Sequence, residues 1–279
     1  MSLSVRDVVQ IVEALAPSHL AETWDNVGLQ TGRTDWPVRS IWVALDPSPD
    51  VMEAACQAGA DLLVTHHPLI FKPLQHVDFS TPEGRVVQLS VQNQTAVFSA
   101  HTNLDSATEG LNDLLSRKIG LKRVSVLEPR SKPPQSGMGS NRTSDQPEGL
   151  GRIGELETEM TLARLAVHIK KTFNLTTLQV AGRLDLSVCK VAVCTGSGSG
   201  LMSAFLASAA DVYVSGDLTY HNGRAVEAAE RGLIDLGHFA SEHLIVDDLA
   251  RRIQQCLPPS EEPVVVTACT FEKDPFACI

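Results

Sequence analysis

The 279-residue chain predicts an α/β fold made of two similar α/β subdomains that face each other across a cleft. Three observations lead there. Short apolar runs of strand type alternate with segments of helical period along nearly the whole length. The pattern recurs, since Ile41-Trp42-Val43-Ala44 matches Val191-Ala192-Val193-Cys194 at an offset of 150. The same offset sets Ala58-Gly59-Ala60-Asp61-Leu62-Leu63-Val64 against Ser208-Ala209-Ala210-Asp211-Val212-Tyr213-Val214. Finally, strands of both halves run into histidines and carboxylates, at the carboxyl edge where open α/β sheets place their ligands.

The elements follow in order. Ser4-Val5-Arg6-Asp7 is a capping box, and Val5, Val8, Val9, Val12 and Leu15 form the apolar stripe of a first helix that Pro17 ends. Trp24-Asp25-Asn26-Val27-Gly28-Leu29 reads either as a tight turn or as a polar loop at a pocket rim. Residues 40–45 form a strand, 49–58 a helix and 61–65 a second strand, which ends abruptly in Thr65-His66-His67-Pro68. A loop rich in Pro and Phe precedes a helix near 83–92 and a strand over 96–100. That strand leads into His101-Thr102-Asn103-Leu104-Asp105, and a helix near 110–119 closes the half.

Residues 129–149 are rich in Ser, Pro and Gly and nearly devoid of apolar side chains, which is the composition of a flexible linker. The expected organisation is an N-terminal subdomain over 1–128, this linker, and a C-terminal subdomain over 150–279. The second half has strands over 151–156, 190–194, 211–215 and 233–236, an edge strand over 263–267, and helices over 162–173, 223–231 and up to Cys256. The lone helical His168 is expected to be structural. Gly196-Ser197-Gly198-Ser199-Gly200 could hold a phosphate at a helix start, but it lacks the lysine of a P-loop and is read as a plain strand-to-helix turn.

Composition excludes several classes of function. A 43% hydrophobic, 20% charged chain is of the ordinary globular type, and no run approaches the ~18 apolar residues that span a membrane. The N-terminal residues lack the features of a signal peptide. Six cysteines without a C-x-x-C pair argue for reduced thiols in a cytoplasmic protein, with Cys189 and Cys194 expected in the core. A net charge of −10 without a basic cluster disfavours nucleic acid, whereas an acidic chain with nine histidines suits divalent cations.

The candidate site lies at matching points of the two halves. His101…Asp105 and His238…Glu242 share an i,i+4 spacing at an offset of 137, and His67 falls opposite Asp217. On a helix, i and i+4 project from one face. His66, His67, His238, Asp105 and Glu242 together supply three imidazoles and two carboxylates. That is too many ligands for a closed tetrahedral zinc, and it suits two divalent ions with open water positions.

At Thr65-His66-His67-Pro68, His101-Thr102-Asn103-Leu104-Asp105, Ser215-Gly216-Asp217 and Gly237-His238-Phe239-Ala240-Ser241-Glu242, the chain resembles the NIF-three-like (YbgI-type) dinuclear-metal proteins, often labelled GTP cyclohydrolase 1 type 2 homologues. Trp24-Asp25-Asn26-Val27-Gly28-Leu29 is similar to the opening signature of that family. The resemblance implies a two-lobed fold with two metals between the lobes and a ring-shaped homohexamer. It implies that His66, His67, Asp105, His238 and Glu242 are ligands, with His101 beside them as a supporting or acid–base group. The expected function is a metal-dependent hydrolase carrying two divalent ions per chain (Zn, Fe, Mn or similar) and acting on a small molecule. The label points to a nucleotide, although no stacking pair is legible in a chain with 5% aromatic residues. His101 or His221 would move the proton; Asp217, Asp25 and Asn26 are further candidates for the site. The alternative is a non-catalytic metal-binding regulatory or interaction protein.

Overall fold

The computed structural model describes residues 3–130, 148–259 and 262–277. The fold is mixed α/β, and the chain divides into two compact units. The first comprises Met1–Leu104 and His243–Asp274, the second Asp105–Glu242 and Pro275–Ile279.

The first unit is organised on a five-stranded sheet. Ser40–Ala44, Leu62–Thr65 and Ala96–Ser99 lie side by side and parallel, with Val265–Ala268 parallel to Ser40–Ala44 on one flank and Gly28–Thr31 antiparallel to Ala96–Ser99 on the other. Ile41, Val43, Leu62, Leu63, Val64, Val97 and Phe98 are buried, the continuous apolar runs expected of parallel strands covered on both faces. The helix Val5–Leu15 buries Val5, Val8 and Val12. Its start is fixed by Asp7, whose carboxylate accepts the Ser4 N–H at 2.8 Å and the Ser4 hydroxyl at 2.6 Å. The helix Leu244–Cys256 buries Ile245, Val246, Leu249 and Ile253 and packs on Ser40–Ala44 and Val265–Ala268. The late segment His243–Asp274 is thus built into the first unit.

The second unit carries a six-stranded sheet in the order Lys122–Pro129, Gly149–Thr161, Ser187–Ser197, Val212–Gly216, Gly232–Asp235, Gln179–Ala181. Its three central parallel strands repeat the register of the first sheet. Ile41 pairs with Leu62 as Val191 pairs with Val212, 150 residues on. The entrances match as well. Asp61 Oδ2 accepts the N–H groups of Arg39 and Ser40 at 2.7 and 3.0 Å, and Asp211 Oδ2 accepts those of Cys189 and Lys190, both at 2.8 Å. The third strands match at an offset of 136, since Leu62 pairs with Ala96 and Val212 with Gly232. The histidine offset of 137 therefore contains one extra residue after the strand, Gly237, at φ +93°, a conformation that favours glycine. Val191, Val193, Val212, Val214 and Ile234 form one core cluster with Leu162, Leu165 and Ile169 of the helix Leu162–Thr172.

Several expectations need adjustment. The strand Lys122–Pro129 pairs antiparallel with Gly149–Thr161, so the stretch expected as a linker joins neighbouring strands of one sheet. Most of that stretch, 131–147, lies outside the described residues. Cys189 is exposed and only Cys194 is buried, because strand alternation sends Val188 inward and its neighbours out. The helix expected over 223–231 is Tyr220–Ala228, started three residues earlier by Thr219, whose hydroxyl accepts the Asn222 N–H at 3.3 Å. His168 is structural, its Nε2 3.0 Å from the Ile119 carbonyl. Among the described residues no helix is long and apolar enough to cross a membrane.

Candidate metal centre

The first unit gathers three imidazoles. Past the end of Leu62–Thr65 the ladder continues for two residues, as His66 N–H donates to Ala44 O at 3.2 Å and His67 N–H to Leu45 O at 2.9 Å. Pro68 then stops it. The two rings lie 5.1 Å apart at 46°, and His101, at the end of Ala96–Ser99, joins them at 5.1 Å from His66 and 5.6 Å from His67. One ring nitrogen of each can be chosen so that all three lie within 4.8 Å of one another, close enough to share a metal ion.

Each ring is oriented through Nδ1. His66 Nδ1 sits 3.0 Å from the Ala100 carbonyl, His67 Nδ1 2.7 Å from Asp46 Oδ1, and His101 Nδ1 2.9 Å from Asp25 Oδ1. Carbonyl and carboxylate oxygens only accept, so each Nδ1 carries the proton and a neutral ring keeps its lone pair on Nε2. Oxygen acceptors behind imidazoles are the usual outer shell of metal-binding histidines. His66 is fully buried. Burial works against ionisation of Asp25, but the hydrogen bonds from His101 and Thr102 outweigh it and hold its pKa down to about 2. Asp25 is therefore an anion behind His101. Asn26 serves the neighbouring loop, donating from Nδ2 to Ile70 O at 2.6 Å.

The second unit presents the same device with carboxylates. In the short helix His238–Glu242, His238 Nε2 lies 2.9 Å from Glu242 Oε2, and His238 Nδ1 lies 2.7 Å from Asp217 Oδ2. The hydrogen bond to Glu242, helped by Asp217 against partial burial, pushes the His238 pKa up to about 9. Asp217 is thus placed behind an imidazole, and it takes a left-handed conformation (φ +52°) at the turn that follows Val212–Gly216. Glu242 is 3% exposed. Gly196, at φ +62°, makes room for it, since a β-carbon there would stand 2.1 Å from Glu242 Oε1. The expected Gly-rich turn accordingly serves a carboxylate in this structure. Asp105 is buried, with Thr195 Oγ1 donating to its Oδ1 at 3.3 Å. His221 is exposed on the helix Tyr220–Ala228, with its ring 5.5 Å from that of Tyr220.

Asp46 and Glu272 were not legible in the sequence as parts of a site. The Glu272 carboxylate accepts the N–H groups of Leu45 and Asp46 at 2.9 to 3.0 Å, which fixes the backbone that carries Asp46 to His67. Burial pushes the Glu272 pKa up despite those bonds. Thiol chemistry has little support here, because burial pushes the Cys194 pKa up to about 12.

Fold and site together define an α/β protein with imidazole and carboxylate groups able to hold a metal ion. Residues 3–275 match the family model described as Duf34/NIF3 (NGG1p interacting factor 3), and the chain belongs to that family. It is 32% identical over 257 residues to a Clostridium acetobutylicum protein named "GTP cyclohydrolase 1 type 2 homolog", covering 92% of each chain. A Streptomyces coelicolor protein of the same name is 35% identical over 239 residues, covering 85% of this chain and 80% of that one. Among solved structures, a Bacillus cereus protein related to NIF3 superposes with a TM-score of 0.89 at 26% identity, covering 100% and 99% of the two chains.

Proposed function

We propose that the protein is a cytoplasmic metal-dependent hydrolase acting on a nucleotide or a related small molecule, with His66, His67, Asp105, His238 and Glu242 holding two divalent ions. One observation carries this reading. Four imidazoles, those of His66, His67, His101 and His238, each have Nδ1 within 3.0 Å of an oxygen acceptor, which directs Nε2 to a ligand. Mixed nitrogen and carboxylate donors suit Zn, Fe, Mn, Co or Ni. Divalent ions held there would lower the pKa of a bound water towards neutrality and polarise a substrate oxygen.

The chain's own groups do the rest. Asp25, ionised above its pKa of about 2, holds the Nδ1 proton of His101 and leaves Nε2 as the position that accepts and returns a proton. Glu242 and Asp217 hold His238 from opposite sides of its ring. Asp46, itself positioned by Glu272, fixes the ring plane of His67. The names of the relatives support a purine nucleotide as the substrate class, and the family resemblance supports a homohexamer. The family description as an interacting factor supports a second reading, a metal-binding protein without turnover.

The test is metal content per chain by elemental mass spectrometry on wild type, His66→Ala and Glu242→Ala, each refilled and assayed against nucleotides and phosphoesters. About two ions in wild type, lost in both variants together with turnover, is the expected result. Two ions with no turnover selects the binding protein, and no ion after refilling overturns both readings.

A further inference from the structure

Two large aromatic side chains stand beside the histidine trio of the first unit. Trp24 is 59% exposed and Phe71 49%. Their rings lie 5.8 Å apart at 66°. Each also meets His101, Trp24 at 6.2 Å and 73° and Phe71 at 6.5 Å and 78°. Three rings that are mutually steep bound a corner, with His101 as its inner wall.

The corner is held in place. Ile70, immediately before Phe71, donates its N–H to Gln30 Oε1 at 3.1 Å, and its carbonyl accepts from Asn26 Nδ2 at 2.6 Å. Trp24 directly precedes Asp25, which anchors both His101 and Thr102. The polar side chains of Asp25, Asn26 and Gln30 thus fix two apolar surfaces in water, and those surfaces forgo the stabilisation that burial would give. Such an arrangement fits a ligand better than it fits folding.

We propose that Trp24 and Phe71 bind the ring of a planar nitrogen heteroaromatic ligand, a purine base being the type, and present it edge-on to His101. A flat π-system can stack on one face of the corner and meet the edge of the other ring. Aromatic corners also take quaternary ammonium groups, and Asp25 places one negative charge behind His101, but the divalent ions proposed for the site would outweigh it. The rings of His66 and His67 lie 5.1 and 5.6 Å from that of His101, and ions held by those imidazoles would repel a cation. A neutral ring with an anionic tail is the ligand that suits both. This inference rests on the metal-site reading above and adds the residues that select the substrate.

The test is isothermal titration of the full-length, metal-loaded chain with GMP, ribose 5-phosphate and choline, using wild type, Trp24→Ala, Phe71→Ala and Phe79→Ala. Phe79 is exposed on the same loop and serves as the control. GMP should bind wild type and Phe79→Ala alike, and its Kd should rise about tenfold or more in the other two variants, with metal content unchanged in all four. Ribose 5-phosphate should bind more weakly than GMP, and choline should not bind. Equal affinity for GMP and ribose 5-phosphate, binding of choline alone, or full GMP affinity in Trp24→Ala and Phe71→Ala would each overturn the proposal. So would variants that change only the sedimentation coefficient, which would assign the corner to contact with a second copy of the chain. If wild type takes up no metal yet binds GMP through Trp24 and Phe71, the corner stands and the metal reading alone falls.

Discussion

Gly196→Ala separates the site from the fold. A β-carbon on Gly196 would lie 2.1 Å from Glu242 Oε1, 3.0 Å from Glu242 Cδ and 3.4 Å from His238 Nε2. A carbon and an oxygen cannot approach so closely, and the yielding partner is the end of a flexible side chain. The carboxylate must swing away by about 1 Å or more, which breaks the 2.9 Å contact between Glu242 and His238. The fold itself pays only for an alanine at φ +62°, about 1–2 kcal/mol. At about 2–4 °C per kcal/mol for a chain of this size, the expected loss in Tm is about 2–8 °C. Metal affinity should fall far more. Losing an outer partner of a ligand costs about 10–100-fold, and displacing a ligand should cost at least that. Elemental analysis after dialysis against graded chelator, run beside a thermal melt, measures both quantities. Wild-type metal affinity in a folded Gly196→Ala chain would refute the placement of Glu242 as a ligand. A much larger Tm loss would show that the backbone, and not the carboxylate, gives way.

Other substitutions probe other links. Asp217→Asn removes a carboxylate acceptor behind His238 and should weaken metal binding about 10–100-fold with little change in Tm; a chelator competition with wild-type midpoints would count against it. Metal uptake should depend on pH. His238, with its pKa raised to about 9, carries a proton below that value which an ion must displace, so affinity should rise by up to about tenfold per pH unit from 6.5 to 8.5. A flat profile across that range would contradict the assignment. Asp25 has its pKa lowered to about 2, so its stabilising contribution is complete above the unfolded value near 4 and is lost as pH falls towards 2. With its side chain out of solvent, it is worth about 1–2 kcal/mol. Asp25→Asn should abolish that part of the acid dependence in chemical denaturation at pH 2.5 and pH 6. Glu272→Gln sets an amide against the N–H groups of Leu45 and Asp46, both now held by a carboxylate, and should cost about 1.5–3 kcal/mol in urea unfolding. An unchanged midpoint would remove Glu272 from the account of His67.

Much of this could be read from the chain, for physical reasons. The parallel strands announce themselves as apolar runs, and the offset of 150 survives in the side chains because Asp61 and Asp211 do the same work at the strand entrances. His66 and His67 come from one strand end, and His238 and Glu242 from one helical turn, so local geometry brings each pair together. Long-range partners leave no such trace. Asp46 precedes His67 by 21 residues, and Glu272 lies 226 residues beyond Asp46. Phe71 meets Trp24 without any periodic pattern to link them. The strand Lys122–Pro129 is an edge strand with a register shift and several exposed positions, so its alternation is blurred. The boundary between units escaped notice for a related reason. Composition reveals where a chain is polar, whereas only contacts reveal which sheet a returning segment joins.

That return sets an order of events during synthesis. The sheet of the second unit runs from Lys122 to Asp235, and every strand of it has been made once residue 235 leaves the ribosome. The first unit, begun earlier, must wait. Until Leu244–Cys256 and Val265–Ala268 emerge, the strand Ser40–Ala44 has one unpaired edge, and the apolar side chains that Leu244–Cys256 will cover stand open. Domains usually mature in the order they are translated. Here the half that carries His66 and His67 can complete its sheet only after the central strands of the other half have been made.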